Sequence, residues 1–181
     1  MSKIKLIAIL GPTASGKTTL SIKKALRIKR GSLKPLIISA DSRQVYKGLD
    51  IGTAKITKEE MRGIPHYMID IVSPKKRFTV AEYVKKARAL IMGSIRPRKA
   101  GPQDDGRERV PIIVGGTGLY IDALVYDWHL PEVTPDKDLR KRLEKKSVEE
   151  FFKLIKEKDE NWAGEIDLKN KVRLIRAIEI I

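Results

Sequence analysis

The sequence predicts an α/β protein, a parallel sheet flanked by helices with a small helical appendage. Three observations lead there. The runs "IKLIAIL" at 4–10, "PLIISA" at 35–40 and "VPIIV" at 110–114 are short and almost continuously apolar, as strands buried on both faces are. Stretches of helical spacing separate them, which is the alternation of a doubly wound sheet. Beyond Pro131 the apolar runs cease and the chain becomes helical and heavily charged.

Taken in order, the first run leads into "GPTASGKT", and a helix follows through about Arg30, with Leu20, Ile22, Ala25 and Leu26 as its apolar positions. The second strand ends at Asp41. "GIPHYMIDIVSP" offers a third short strand around Tyr67–Ile71. Thr79 and Glu82 form a capping box ahead of Val80, Tyr83, Val84, Ala87, Leu90 and Ile91, which repeat at helical spacing. Residues 96–109, "RPRKAGPQDDGRER", lack apolar periodicity and read as an exposed, mobile loop. The expected division is an α/β core over 1–130, a small helical insertion over 131–168 and a returning core helix over 169–181. Ser147 and Glu150 supply a second capping box within the insertion. The sequence stops at "AIEII", in the middle of an apolar helical pattern, and reads as a chain cut short.

Composition narrows the function. At 181 residues, with 41% hydrophobic and 34% charged, the chain suits a soluble globular protein with one main core. No apolar run reaches membrane-spanning length, and the start "MSKIKLIAILGPTASGK" does not read as a secretory signal, so no membrane association is expected. The absence of cysteine excludes disulfides and thiolate metal sites, and the cytoplasm is the simplest address. A formal charge of +15 favours a polyanionic partner, nucleic acid ahead of an acidic membrane, although a lysine-rich solvated surface is the plainer reading. Aromatic residues make up 6%, so a platform of stacked bases is not signalled.

Gly11, Gly16, Lys17 and Thr18 complete the pattern G-x-x-x-x-G-K-[ST], with a strand before and a helix after. Backbone N–H groups of residues Gly11, Pro12, Thr13, Ala14, Ser15, Gly16, Lys17 and Thr18 (Pro12 excepted, having none) would curl round phosphate oxygens, with the helix N-terminus adding its positive end. Lys17 brings a point charge, and the Thr18 hydroxyl suits a Mg²⁺ ligand. The sheet is therefore expected to be P-loop NTPase-like. Such a loop recognises a diphosphate rather than a nucleoside. "VPIIV" ends in Gly-Gly-Thr-Gly rather than in an acid, whereas Asp41 closes the second strand. Phosphoryl transfer from ATP and chemistry with diphosphate as leaving group both stay open on these residues. Gly11, Asp41 and Gly115 each follow a strand, so they should meet on the carboxyl edge of the sheet. His66 and His129 stand isolated and read as structural.

Five ordered blocks, "GPTASGKT", "ADSRQVYKGLDIGTAK", "GIPHYMIDIVSP", "VGGTGLYI" and "NKVRLIRAIEI", resemble those of the tRNA dimethylallyltransferases, also called tRNA isopentenyltransferases. The resemblance implies transfer of a dimethylallyl group from dimethylallyl diphosphate to the exocyclic amine of the adenosine just 3′ of a tRNA anticodon, assisted by Mg²⁺. It assigns the loop to the diphosphate of the prenyl donor, Asp41 to the general base, and Thr18 to both the metal and the reacting centre. It also assigns tRNA contacts to Asp41, Ser42, Arg43, Gln44, Thr117, Arg140, Val172, Arg173, Leu174, Ile175 and Arg176. The implied partners are a tRNA anticodon stem-loop and dimethylallyl diphosphate, with the protein acting as a monomer. The family's usual C-terminal portion, with its basic tail, does not follow Ile181 in this sequence. A small-molecule P-loop kinase, a prenyltransferase of free adenine nucleotides and a non-catalytic RNA-binding remnant are the rival readings.

Overall fold

The computed structural model describes residues 6–31, 33–95, 108–131 and 133–181. They form two compact units, one up to His129 and one from Leu130 to Ile181. The first contains β1 (Ile7–Leu10), α1 (Lys17–Lys29), β2 (Lys34–Ala40), β3 (His66–Tyr67), α2 (Val80–Ile95), β4 (Arg109–Gly115) and α3 (Gly118–Val125). The second contains α4 (Lys137–Leu143), α5 (Val148–Lys158), α6 (Glu160–Glu165) and α7 (Lys171–Ile180). The expected loop over 96–109 falls almost wholly outside the described residues.

All described strand pairs are parallel, in the order β1-β4-β2-β3. Successive strand residues face opposite sides, and both sides are filled. Ile9, Ile37 and Ile112 pack with Ile22 and Ala25 of α1 and with Ile56 and Ile64 from the segment after β2. Their neighbours Ile38 and Ile113 point the other way and are equally closed to solvent, at 0% exposure. Burial on both faces is why these strands read as unbroken apolar runs rather than alternating ones.

The third strand is shorter than the expected Tyr67–Ile71. It pairs only through His66 and Tyr67, because Met68 and Asp70 turn to φ 66° and 55°, a left-handed conformation that breaks an extended ladder. Helix α2 starts at its expected capping box: Thr79 Oγ1 accepts the Glu82 N–H at 3.2 Å, and Glu82 Oε2 accepts the Thr79 N–H at 2.8 Å.

In the second unit the Ser147–Glu150 box is reciprocal as well, opening α5. Phe151 and Ile155 of α5, Leu143 of α4, Ala163 of α6 and Leu174, Ile175 and Ala177 of α7 form a separate apolar cluster. Helix α7 buries its apolar face in this cluster, through Leu174, Ile175 and Ala177.

Candidate active site

Strand register decides what meets at the carboxyl edge of the sheet. Leu10 is paired with Gly115, and Gly115 with Ala40. The residues that follow, Gly11, Asp41 and Gly116, therefore leave the sheet side by side; the expected third member was Gly115, but β4 extends one residue further and includes it. The approach is close enough to require glycine: a Cβ on Gly115 would stand 2.1 Å from the Ala40 carbonyl oxygen.

The loop between β1 and α1 has the form of an anion cradle. Ala14 and Gly16 take φ 63° and 78°, so successive N–H groups turn to one side ahead of the helix. Gly16 caps α1 without a side chain, leaving the first-turn amides free to face a ligand. The Lys17 ammonium folds back over the loop, donating to the Pro12 carbonyl and, at 3.4 Å, to Ser15 Oγ. Thr18 is exposed at the start of α1, and its carbonyl accepts the Ser21 hydroxyl at 2.7 Å.

Asp41 begins a tight turn. Its Oδ1 accepts the N–H groups of Arg43 at 2.8 Å and Gln44 at 3.2 Å. The carboxylate is thus held by the backbone through one oxygen, and the other has no hydrogen-bond partner among the described residues. Thr117, at the head of α3, ties this turn to the neighbouring strand end: its Oγ1 accepts the Ser42 N–H at 3.0 Å and its N–H donates to Ala40 at 3.2 Å. The Gln44 amide is fixed between Ser39 Oγ at 3.1 Å and the Thr53 carbonyl at 3.1 Å. Arg43 is exposed.

A brace absent from the sequence reading holds this turn in place. The Lys55 side chain is only 5% exposed, yet its ammonium reaches Asp50 and Asp70 at 2.6 Å each and the Tyr46 carbonyl at 2.9 Å. Burial works against its charge, but hydrogen bonds to Asp50 and Asp70 outweigh it and raise the pKa above the usual 10.5. Backbone bonds from Asp70, Ile71 and Val72 to Gln44 and Val45 run alongside. Only spacing in three dimensions brings these charges together; Asp50, Lys55 and Asp70 form no recognisable sequence pattern. Nearby, Tyr120 of α3 stacks on Tyr83 of α2 with ring centroids 4.2 Å apart. Burial, reinforced by Tyr46, Glu82 and Asp41, holds the Tyr120 phenol protonated beyond its ordinary range.

The two histidines behave as packing groups or surface residues. His66 is half-buried, its Nδ1–H donates to the Ile64 carbonyl at 2.8 Å, and burial lowers its pKa, keeping it neutral. His129 is exposed.

The remaining predicted contact residues lie in the second unit. Arg140 forms a bidentate pair with Glu179, Nε–Oε1 at 2.6 Å and Nη2–Oε2 at 2.7 Å. Arg176 joins at 3.1 Å and also donates to the Val133 carbonyl at 2.9 Å. Both guanidiniums are thereby committed to one carboxylate that is 1% exposed. Leu174 and Ile175 are buried in the apolar cluster. Val172 and Arg173 are exposed, at 70% and, for the Arg173 side chain, 68%.

A profile described as IPP transferase matches residues 44–181. The chain belongs to the IPP transferase family. Among curated members it is 44% identical to a tRNA dimethylallyltransferase of Bacillus licheniformis, over 100% of this chain and 55% of that one. It is 43% identical to another from Caldanaerobacter subterraneus, over 98% of this chain and 53% of the relative. This IPP transferase chain thus spans about half the length of the relatives it matches. The solved full-length tRNA isopentenylpyrophosphate transferase of Bacillus halodurans aligns with TM-score 0.60 and 41% identity, covering 98% of this chain and 55% of that one. A eukaryotic dimethylallyltransferase solved acting on tRNA aligns with TM-score 0.77 at 24% identity, which shows the fold alone. The P-loop NTPase-like α/β architecture expected from the sequence is the architecture found. Among the described residues of this family member, no helix is long and apolar enough to cross a membrane.

Proposed function

We propose that this protein transfers a dimethylallyl group from dimethylallyl diphosphate to the exocyclic amine of the adenosine 3′-adjacent to the anticodon of tRNA. The observation that carries the reading is the register of Leu10, Gly115 and Ala40, which puts the anion cradle and the Asp41 carboxylate on one sheet edge. Names of relatives supply the reaction, and the charge of +15 suits an RNA substrate.

In the reaction the allylic carbon–oxygen bond breaks, and its electron pair leaves with the diphosphate. Amides of the 11–18 loop and the Lys17 ammonium stabilise that charge as it develops, an oxyanion-type contribution. The adenine amine forms the new carbon–nitrogen bond, and its proton passes to the free oxygen of Asp41. A positioned base of this kind contributes typically about 10²–10⁴-fold. The adenosine must leave its stack to reach this edge, and Asp41, Ser42, Arg43 and Gln44 would receive it, with Thr117 holding their turn.

The residues present fit a magnesium ion. Thr18 offers a hydroxyl at the cradle, and no cluster of three acidic or histidine side chains occurs among the described residues. That donor set matches Mg²⁺ bound mainly through substrate phosphates and water. When bound, the ion would neutralise diphosphate charge.

Labelled dimethylallyl diphosphate with Mg²⁺ and either tRNA or AMP tests the proposal. Label in tRNA is the expected outcome, in the cytoplasm-like conditions where a monomeric enzyme would work. Label in AMP alone would move the substrate to free nucleotides. ATP hydrolysis without prenylation would overturn the prenyl-transfer reading.

A further inference from the structure

A cavity of about 550 Å³ lies along α1, away from the Asp41 turn but starting at Thr18. Its floor is apolar, from Ile22 and Leu26 of α1 and Ile56 of the facing segment. Its rim is cationic: Lys23, Arg27 and Arg30 follow one face of the helix at spacings of four and three, and Arg62 stands opposite. All four are exposed, and none pairs with a carboxylate among the described residues. Glu60 is the one acid on the lining, and it is turned to its own backbone, accepting the Thr57 N–H at 2.9 Å. From Thr18 to Arg30 the groove runs about 18 Å at the helical rise of ~1.5 Å per residue.

The shape argues against a small anion. A single phosphate is held by groups converging on one point, as in the cradle, whereas these cations are strung along a line. The complementary ligand is an extended polyanion whose less polar parts can lie on an aliphatic floor. We propose that this groove binds the sugar–phosphate backbone of the RNA strand flanking the modified adenosine, leading it along α1 from the reacting edge. The inference rests on the tRNA reading above and adds a surface to it. Contacts of this kind fix register and contribute affinity without reading sequence.

The test uses an anticodon stem-loop RNA titrated over a series of KCl concentrations. The wild-type chain is compared with the triple variant Arg27→Gln, Arg30→Gln, Arg62→Gln, whose changes are all on exposed side chains. A control removes the same number of charges from α5, through Lys153→Gln, Lys156→Gln and Lys158→Gln. The groove variant should reduce the slope of log affinity against log salt by about 2, at roughly 0.7 per lost phosphate contact. Its affinity at low salt should fall at least about tenfold, while dimethylallyl diphosphate affinity stays unchanged. Equal slopes for wild type and groove variant would overturn the inference, as would an equal reduction in the α5 control. Lost donor affinity would make the groove an extension of the cradle and overturn it too. Failure of the wild type to bind the RNA at any salt would remove the tRNA reading itself, and the groove with it.

Discussion

One carboxylate oxygen of Asp41 is occupied by two backbone amides and the other, among the described residues, is not, and that asymmetry sets what the residue can do. A carboxamide at this position keeps the shape and one acceptor but cannot take up a proton at neutral pH. Asp41→Asn should therefore lower prenylation turnover by about 10²–10⁴-fold while leaving dimethylallyl diphosphate affinity intact, read by single-turnover kinetics and calorimetry. Unaltered turnover would remove Asp41 as the base. A second residue invites the opposite kind of change. The Tyr83 hydroxyl is fully buried and has no hydrogen-bond partner among the described residues, while its ring stacks on Tyr120. Leaving a hydroxyl unsatisfied costs about 1–3 kcal/mol. Tyr83→Phe keeps the stack and deletes that penalty, so urea unfolding should show stability equal to or above wild type, by up to about 1 kcal/mol. A clear loss would mean the hydroxyl has a bonding role.

At the scale of elements, the segment from Asp41 to Lys55 owes its shape to cross-links rather than to regular structure. Gln44 reaches Thr53, and Lys55 gathers Asp50, Asp70 and the Tyr46 carbonyl. Breaking such a cluster from its buried member leaves the acids to water, since Asp50 and Asp70 remain 65% and 47% exposed. The cost then falls on loop order more than on global stability. Lys55→Met should weaken stem-loop RNA binding roughly tenfold, about 1.4 kcal/mol, with donor binding unchanged. Equal losses for both ligands would point to general unfolding instead. The second unit has its own polar centre, in which Glu179 accepts from Arg140, Arg176 and the Asp136 N–H.

At the scale of the molecule, the sheet core and the apolar cluster of the second unit place different demands on solution conditions. The first rests on the sheet and is largely uncharged. The second depends on Glu179, which hydrogen bonds from Arg140 hold at a pKa of about 2, against burial, with Arg176 and the Asp136 N–H adding to the shift from the usual 4.5. A depressed carboxylate stabilises the fold above its unfolded pKa and loses that contribution as pH falls through its folded pKa. The loss should therefore develop from about pH 4.5 down to about pH 2, amounting to ~1–3 kcal/mol. Trp162, packed against this core, reports it in a Trp128→Phe background. Glu179→Gln should lower stability at pH 7 and flatten the acid dependence; an unchanged pH profile would show that the cluster is not coupled to folding.

The amino-acid sequence by itself determined the sheet class, the glycine turn between β1 and α1, both capping boxes and the meeting of Gly11 and Asp41 at one sheet edge. Each of these follows from local physics: apolar runs that must be buried on both faces, glycines that permit left-handed turns, and side chains that bond amides three residues away. Tertiary structure alone decided the rest. It brought Asp50 and Asp70 to Lys55, closed Arg140 and Arg176 onto Glu179, turned Leu174 and Ile175 inward, and ended the third strand at Tyr67. These depend on which segments become neighbours after folding, and a contact between residues 39 positions apart, as in Arg140 and Glu179, leaves no periodic trace in the chain.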